Sequence, residues 1–345
     1  MTGARGRLLA AIGTAAAQMP WNTAAVACFA DEEVRLGWNS HGTLDESLAG
    51  QVFPAGSLSK LLTAVTVATS VGAGLLRFDD PVTPRPGTWW PRPDGDWARP
   101  TVRELLAHCG GVNLPSLPGY GVGDKLPTLE QTLRGSPPAV NGPVRFVAAP
   151  RTRVMYSGGG YCLLQLLVQE ATGLSFEDVV AKRVLHPLAM RCTGFSPPAP
   201  PPVGALTYPQ AAAGLWSTAV DLARLARGVC AAFQGEPGGL LARPSDIREM
   251  FTPLLGSWGL GLSLLPGPAA AGFALGRSAG GRGFVVIHPA ARLGIAFLGD
   301  SSDEGERVGE LLADIRTLLL RSGAADALLR ADRATADHDA RGLPR

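Results

Sequence analysis

The sequence predicts an α+β fold, one antiparallel sheet flanked by helices and interrupted by a mostly helical inserted subdomain. Three observations lead there. Residues 24–30 (AAVACFA) and 33–38 (VRLGWN) are strand-like runs, and four more, 258–265, 272–277, 283–288 and 293–299, follow at hairpin spacing near the other end. Between the two groups the apolar period is helical. The 345 residues, 46% hydrophobic and 17% charged, supply enough apolar material for a packed core and exclude a disordered chain. Consecutive strands on short links pair antiparallel, and the early pair must join the late group to cover its edge.

The elements follow in order. Residues 5–17, two arginines and then an Ala-rich run, read as an N-terminal amphipathic helix; no clear cleavage site marks a signal peptide. An acidic turn at Asp31 and Glu32 joins the first strands, and a loop runs to Gly56. From Ser57 the stretch SLSKLLTAVTVATSVGAGLL is helical, with Leu58, Leu61, Leu62 and Val65 on one stripe. Pro81, Pro84, Pro86, Gly87, Pro91, Pro93 and Pro100 make 81–100 a loop. Thr101 to Glu104 and Thr128 to Gln131 are capping boxes, the first opening a helix that ends near His108. Residues 161–171 are helical and stop at Gly173, and Ser175 caps the next helix. PPAPPP at 197–202 is a stiff connector, and Thr218 with Asp221 opens an amphipathic helix to Phe233. A closing helix is expected at 304–321 and a mobile polar tail at 322–345. The expected organisation is one composite domain over 5–321, its α/β part at 5–77 and 212–321 and its helical part at 78–211.

Composition excludes several function classes. The 31 basic and 29 acidic residues leave a net charge of +2, too balanced for a nucleic-acid surface or a polybasic membrane face. The five cysteines are odd in number, widely spaced and free of CxxC, which argues for buried thiols over a disulfide framework or a zinc site. His41, His108, His186, His288 and His338 form no close ligand set, so neither a metal nor a cofactor is expected. His108, ahead of Cys109-Gly110-Gly111, reads as a charged histidine at a helix C-terminus. No apolar run is long enough to span a membrane, and a cytoplasmic location is expected.

The chemistry centres on Ser57-Leu58-Ser59-Lys60. Residues three apart share a helix face, so Lys60 can reach the Ser57 hydroxyl, and the helix N-terminus favours developing negative charge there. A neutral amine so placed can take the serine proton. Only Lys60, Lys125 and Lys182 are lysines, which makes the match harder to meet by chance. A second element is Tyr156-Ser157-Gly158-Gly159-Gly160-Tyr161, read as an exposed turn on which a phenol beside an ammonium can shuttle a proton. A third is Gly276-Arg277-Ser278-Ala279-Gly280-Gly281-Arg282-Gly283-Phe284, whose glycines let a substrate approach the strand edge. It also carries G-x-S-x-G, but the next stretch, FVVIHP, is a strand where a nucleophile elbow needs a helix.

Together these elements resemble the serine β-lactamase-related, penicillin-recognising hydrolase family of class C-type β-lactamases, DD-peptidases and carboxylesterases. The resemblance runs from about residue 20 to 320 through FPAGSLSKLLTA, TVRELLAHCGGV, YSGGGYCLLQLLVQEATGLSFEDVV, VLHPLAMRCTGF, AAAGLWSTAVDLARLA and SWGLGLSLL, in order and spacing. It implies a β-lactamase/transpeptidase-like fold with Ser57 as acylated nucleophile, Lys60 as proton partner and Tyr156 as the first residue of a Tyr-x-Asn element. It also implies an oxyanion hole from the N–H groups of Ser57 and Gly280. Two departures stand out: Gly158 replaces the expected Asn, and Arg277-Ser278-Ala279 stands where His-x-Gly or Lys-Thr-Gly is usual. Arg keeps a permanent charge suited to a substrate carboxylate but cannot act as a base. Ala279 adds a methyl that would narrow the cleft. Gly158, Arg277 and Ser278 are thus the expected substrate-binding positions. The implied partner is a small-molecule or peptide-like acyl substrate, an ester, amide or lactam, with the acyl group passed to water or to another acceptor. The alternative is a catalytically impaired relative that only binds, which the changes at Gly158, Arg277 and Ala279 would produce.

Overall fold

The computed structural model describes residues 23–29, 33–39 and 45–300, apart from 84, 238 and 267–269. The expected helix at 5–17, the Asp31–Glu32 turn, the closing helix at 304–321 and the tail lie outside the described residues.

The chain begins with β1 (Thr23–Phe29) and β2 (Glu33–Asn39), then a short 3-10 turn and β3 (Phe53–Gly56). Helix α1 (Ser59–Gly72) follows, then α2 (Val102–Leu106), β4 (Tyr120–Gly121), α3 (Leu129–Arg134), α4 (Gly158–Thr172) and α5 (Phe176–Val180). Next come β5 (Leu206–Thr207), α6 (Gln210–Ala213), β6 (Leu215–Ser217), α7 (Ala219–Gln234) and α8 (Pro244–Met250). The described chain closes with β7 (Ser263–Leu264), β8 (Gly272–Ser278), β9 (Gly281–His288) and β10 (Leu293–Asp300).

The principal sheet has six strands in the order β2-β1-β10-β9-β8-β7. As expected, the early pair completes the late meander: β1 runs antiparallel to β10 from Thr23 opposite Asp300 to Phe29 opposite Gly294. Every residue of β9 is buried, which marks a central strand covered on both faces. Helix α7 covers one face, packing along β1, β9 and β10 with Leu222, Ala223, Ala226 and Val229 buried. The same face receives β3, which packs on β8 and β9: a Cβ on Gly283 of β9 would meet Leu58, and one on Gly294 of β10, on the same face, would meet Ala226 of α7. Beyond it lies α1, buried along nearly its whole length.

Helix starts follow their caps. The hydroxyls of Thr101, Thr128, Ser175 and Thr218 each accept the backbone N–H three residues on, and the first two boxes are reciprocal. Gly173 and Gly235 end α4 and α7 in the left-handed region.

Three expectations are corrected. Residues 258–265 do not form a continuous strand; only Ser263 and Leu264 pair with β8. Gly261 turns the chain in against α1, where a Cβ would stand 2.2 Å from that of Ala64, and this approach breaks the ladder. Gly158 to Gly160 are not an exposed turn but the buried first turn of α4, because Ser157 caps it through the Gly160 N–H. Four cysteines are buried, but Cys192 is exposed.

Candidate active site

Ser57 sits where β3 gives way to α1. β3 pairs with β6, and the register slips between Pro54 and Gly56, immediately before the serine. Gly56 has φ +52°, and a Cβ there would stand 2.4 Å from the Arg277 carbonyl oxygen, so this position needs glycine. The turn is pinned from α1: Ser59 Oγ donates to Gly56 O at 2.6 Å and accepts the Leu215 N–H at 2.9 Å. Thr63 Oγ1 donates to Ala211 O at 3.0 Å.

Lys60 comes off the next position of the same helix, with 4% of its surface exposed. Its Nζ donates to Ala212 O at 2.6 Å and to Ser57 Oγ at 3.2 Å. The amine lies 4.8 Å from the ring centroid of Tyr156 and 5.7 Å from that of Tyr161. Burial lowers its pKa from the ordinary lysine value, and the neighbouring Tyr156 hydroxyl offsets part of that shift. A carbonyl, a hydroxyl and two aromatic rings, with no carboxylate among them, are what a lysine needs to act as a neutral base.

Tyr156 lies just ahead of α4, 36% exposed. His108 stands behind it, its ring centroid 4.3 Å away. His108 is 2% exposed and Trp258 meets its ring edge-on at 4.7 Å. Burial, aided by the nearby Lys60 charge, holds its pKa well below the usual histidine value. The expected charged histidine at a helix end is therefore corrected: the ring is buried and neutral. Tyr161 donates to Leu106 O at 2.9 Å, and burial keeps its hydroxyl protonated. Burial likewise pushes the Cys162 thiol up to about 12, so it stays a protonated thiol.

A cleft of about 580 Å³ opens over these groups. Ser57, Lys60, His108 and Tyr156 line it together with Arg277 and Arg282. Trp258, Leu262, Phe273 and Leu275 supply apolar wall. The structure thus brings together Ser57, Lys60, Tyr156 and Arg277. Gly158, Ser278 and Gly280 are not among the lining residues. Gly158 faces the 114–117 loop, where a Cβ would meet Leu117 and the Pro115 carbonyl at 3.5 Å. Ser278 Oγ donates to Pro54 O at 3.2 Å, and Gly280 forms the hairpin tip between β8 and β9 with φ +70°. Ala279 does not narrow the cleft; it sits in the same tip and donates its N–H to Tyr208 Oη at 3.3 Å. The glycine of this strand that is tight against β3 is Gly276, where a Cβ would stand 2.2 Å from Ala55 O.

Sequence reasoning missed His108, Trp258 and the Ala212 carbonyl as site components. His108 carried a signal, a histidine where a helix ends before a Gly pair; the other two carried none. Among the described residues no cluster of His, Cys, Asp or Glu is arranged to hold a metal ion. No helix among them is long and apolar enough to cross a membrane.

A family model described as Beta-lactamase matches residues 15–318. Penicillin-binding protein 4 of Amycolatopsis lactamdurans is 30% identical over 181 residues, 48% of this chain and 43% of that protein, so less than half of the relative's length is matched. An octameric penicillin-binding protein homologue from Pyrococcus abyssi superposes with TM-score 0.67 at 24% identity, covering 92% of this chain and 77% of its own. EstCE1, described as a hydrolase with promiscuous acyltransferase activity, gives TM-score 0.71 at 19% identity over 91% and 98% of the two chains.

Proposed function

The chain belongs to the beta-lactamase family, and on that premise we propose that it is a serine hydrolase forming an acyl-enzyme on Ser57 and cleaving an ester, amide or β-lactam-type bond. The observation that carries this reading is the buried Lys60 amine, 3.2 Å from Ser57 Oγ and depressed in pKa by its burial. In its neutral form Lys60 accepts the Ser57 proton as Oγ bonds to the carbonyl carbon. Tyr156, whose ring lies beside that amine, helps pass the proton to the leaving group as the scissile bond breaks. Water attacks the acyl carbon as the same pair takes its proton and returns it to Ser57 Oγ, which leaves as the acyl bond breaks.

The oxyanion requires two N–H donors. The Ser57 N–H is one. For the second, Gly280 was the expectation, but the ladder favours Arg277. Ser278 opposite Gly281 closes a two-residue hairpin, which makes Arg277 opposite Arg282 the non-hydrogen-bonded pair. The Arg277 N–H and C=O then point away from β9, toward Gly56 and Ser57, consistent with the tight Gly56 contact to that carbonyl.

Against a binding-only relative stand the placements of Gly158 and Ala279: neither lines the cleft, so neither departure touches the nucleophile. The test is intact mass after exposure to a fluorophosphonate or a β-lactam. One adduct on the parent protein and none on Ser57→Ala is expected; an unlabelled parent would sink the hydrolase reading, and a labelled mutant would relocate the nucleophile.

A further inference from the structure

His108 is tied to the segment that carries Tyr156 on both sides of that residue. Its carbonyl oxygen accepts the Met155 N–H at 2.7 Å, and its Nδ1 accepts the Ser157 N–H at 3.1 Å. Its ring lies against the Tyr156 ring at 4.3 Å and is itself wedged by Tyr161 at 5.2 Å and Trp258 at 4.7 Å. To reach this position its backbone adopts φ +56°, an uncommon conformation for a residue with a side chain. Because Nδ1 is an acceptor, the ring proton resides on Nε2. The histidine therefore has no free lone pair with which to act as a base.

We propose that His108 is a positioning residue for Tyr156, clasping the backbone before and after it and bracing its ring so that the phenol stays beside Lys60. The inference rests on the reading that Tyr156 handles a proton in the reaction. His108 touches no reacting atom; it acts through Tyr156 alone. Two variants separate its ties. His108→Phe keeps a ring against Tyr156 and removes the acceptor, whereas His108→Asn retains an acceptor near Nδ1 and removes the ring.

The experiment is a double-mutant cycle with Tyr156→Phe, read as kcat/KM for an ester substrate, with 13Cζ-tyrosine NMR on the same proteins. Each His108 variant is expected to lose about 10-fold in the parental background and less than about 3-fold in Tyr156→Phe. A merely structural role would give the same loss in both backgrounds. The chain has four tyrosines, so the Tyr156 line is assignable by its absence in Tyr156→Phe. That line is expected to broaden or double in both His108 variants while those of Tyr120 and Tyr208 stay sharp. Either variant suffices if the other does not fold. A full loss repeated on the Tyr156→Phe background, or a single sharp Tyr156 line in both variants, would overturn the proposal. Parental activity in Ser57→Ala would overturn the hydrolase reading instead, and the NMR line would still report on His108.

Discussion

Arg277 is the residue on which we expect substrate choice to turn. It lines the same cleft as Ser57, together with the apolar Phe273, Leu275 and Trp258. Such a site suits an acyl compound with an apolar body and a carboxylate, which a guanidinium grips through two parallel hydrogen bonds. Arg277→Ala is expected to raise KM about 10-fold or more for carboxylated substrates and to leave neutral esters within about 2-fold. Steady-state kinetics on a matched pair of substrates checks this; equal losses on both would remove the carboxylate role. Ser57 and Lys60 were legible from sequence because a three-residue spacing fixes their meeting on a helix whatever surrounds it. His108 was not, because its protonation depends on burial beneath Tyr156 and Trp258, residues 48 and 150 positions away. The Ala212 carbonyl was invisible for a different reason: a backbone acceptor leaves no trace in residue type.

At the level of elements, the packing of β3 against β8 sets how far Ser57 stands from the β8 strand. The closest contact is at Gly276, where a methyl would fall 2.2 Å from Ala55 O, a backbone atom that cannot swing aside. Gly276→Ala should therefore push β3 and β8 apart, lowering stability by about 1–3 kcal/mol in denaturant melts and depressing activity with it. Gly280→Ala has nothing within 4 Å to collide with, only its positive φ to strain, and should cost less. A Gly276→Ala protein as stable and active as the parent would show that the two strands are not in tight register. Capped helices were readable because Thr101, Thr128, Ser175 and Thr218 carry their own start signals. The pairing of β3 with β6 was not. FPAG is four residues with a proline, and its partner lies about 160 positions on, so no local period announces it. α8, which begins on Pro244 without a side-chain cap, escaped notice for the same want of a signal.

For the molecule as a whole, two buried neutral histidines tie stability to pH. Burial lowers the pKa of His108 and of His288 below the ordinary 6.5. As pH falls through 6.5 the unfolded chain binds protons that the folded chain refuses, so stability is full above that value and is lost below it. The slope is at most about 1.4 kcal/mol per pH unit for each histidine, until the folded ring titrates. Urea midpoints at pH 7.5 and 5.5 are expected to fall with pH, and less steeply in His108→Asn. Asp79, held low by its hydrogen bonds to Arg103, acts below 3.8 and does not enter this window. A flat midpoint across the range would mean that the rings take up protons without unfolding.

The pairing of β1 with β10 has one more consequence, for how the molecule is made. Thr23 leaves the ribosome some 270 residues before its partner Asp300. During that interval one edge of the first hairpin lacks its neighbour, and the hydrophobic residues of β1 wait for a cover that has not been synthesised. The serine and lysine emerge early as well, but Trp258, Phe273 and Arg277, which complete the cleft, come late. The nascent chain thus carries Ser57 and Lys60 long before the rest of the cleft that surrounds them. The strands that close the cleft are therefore made after the residues they enclose, and until then β1 is the apolar strand that a chaperone would have to cover.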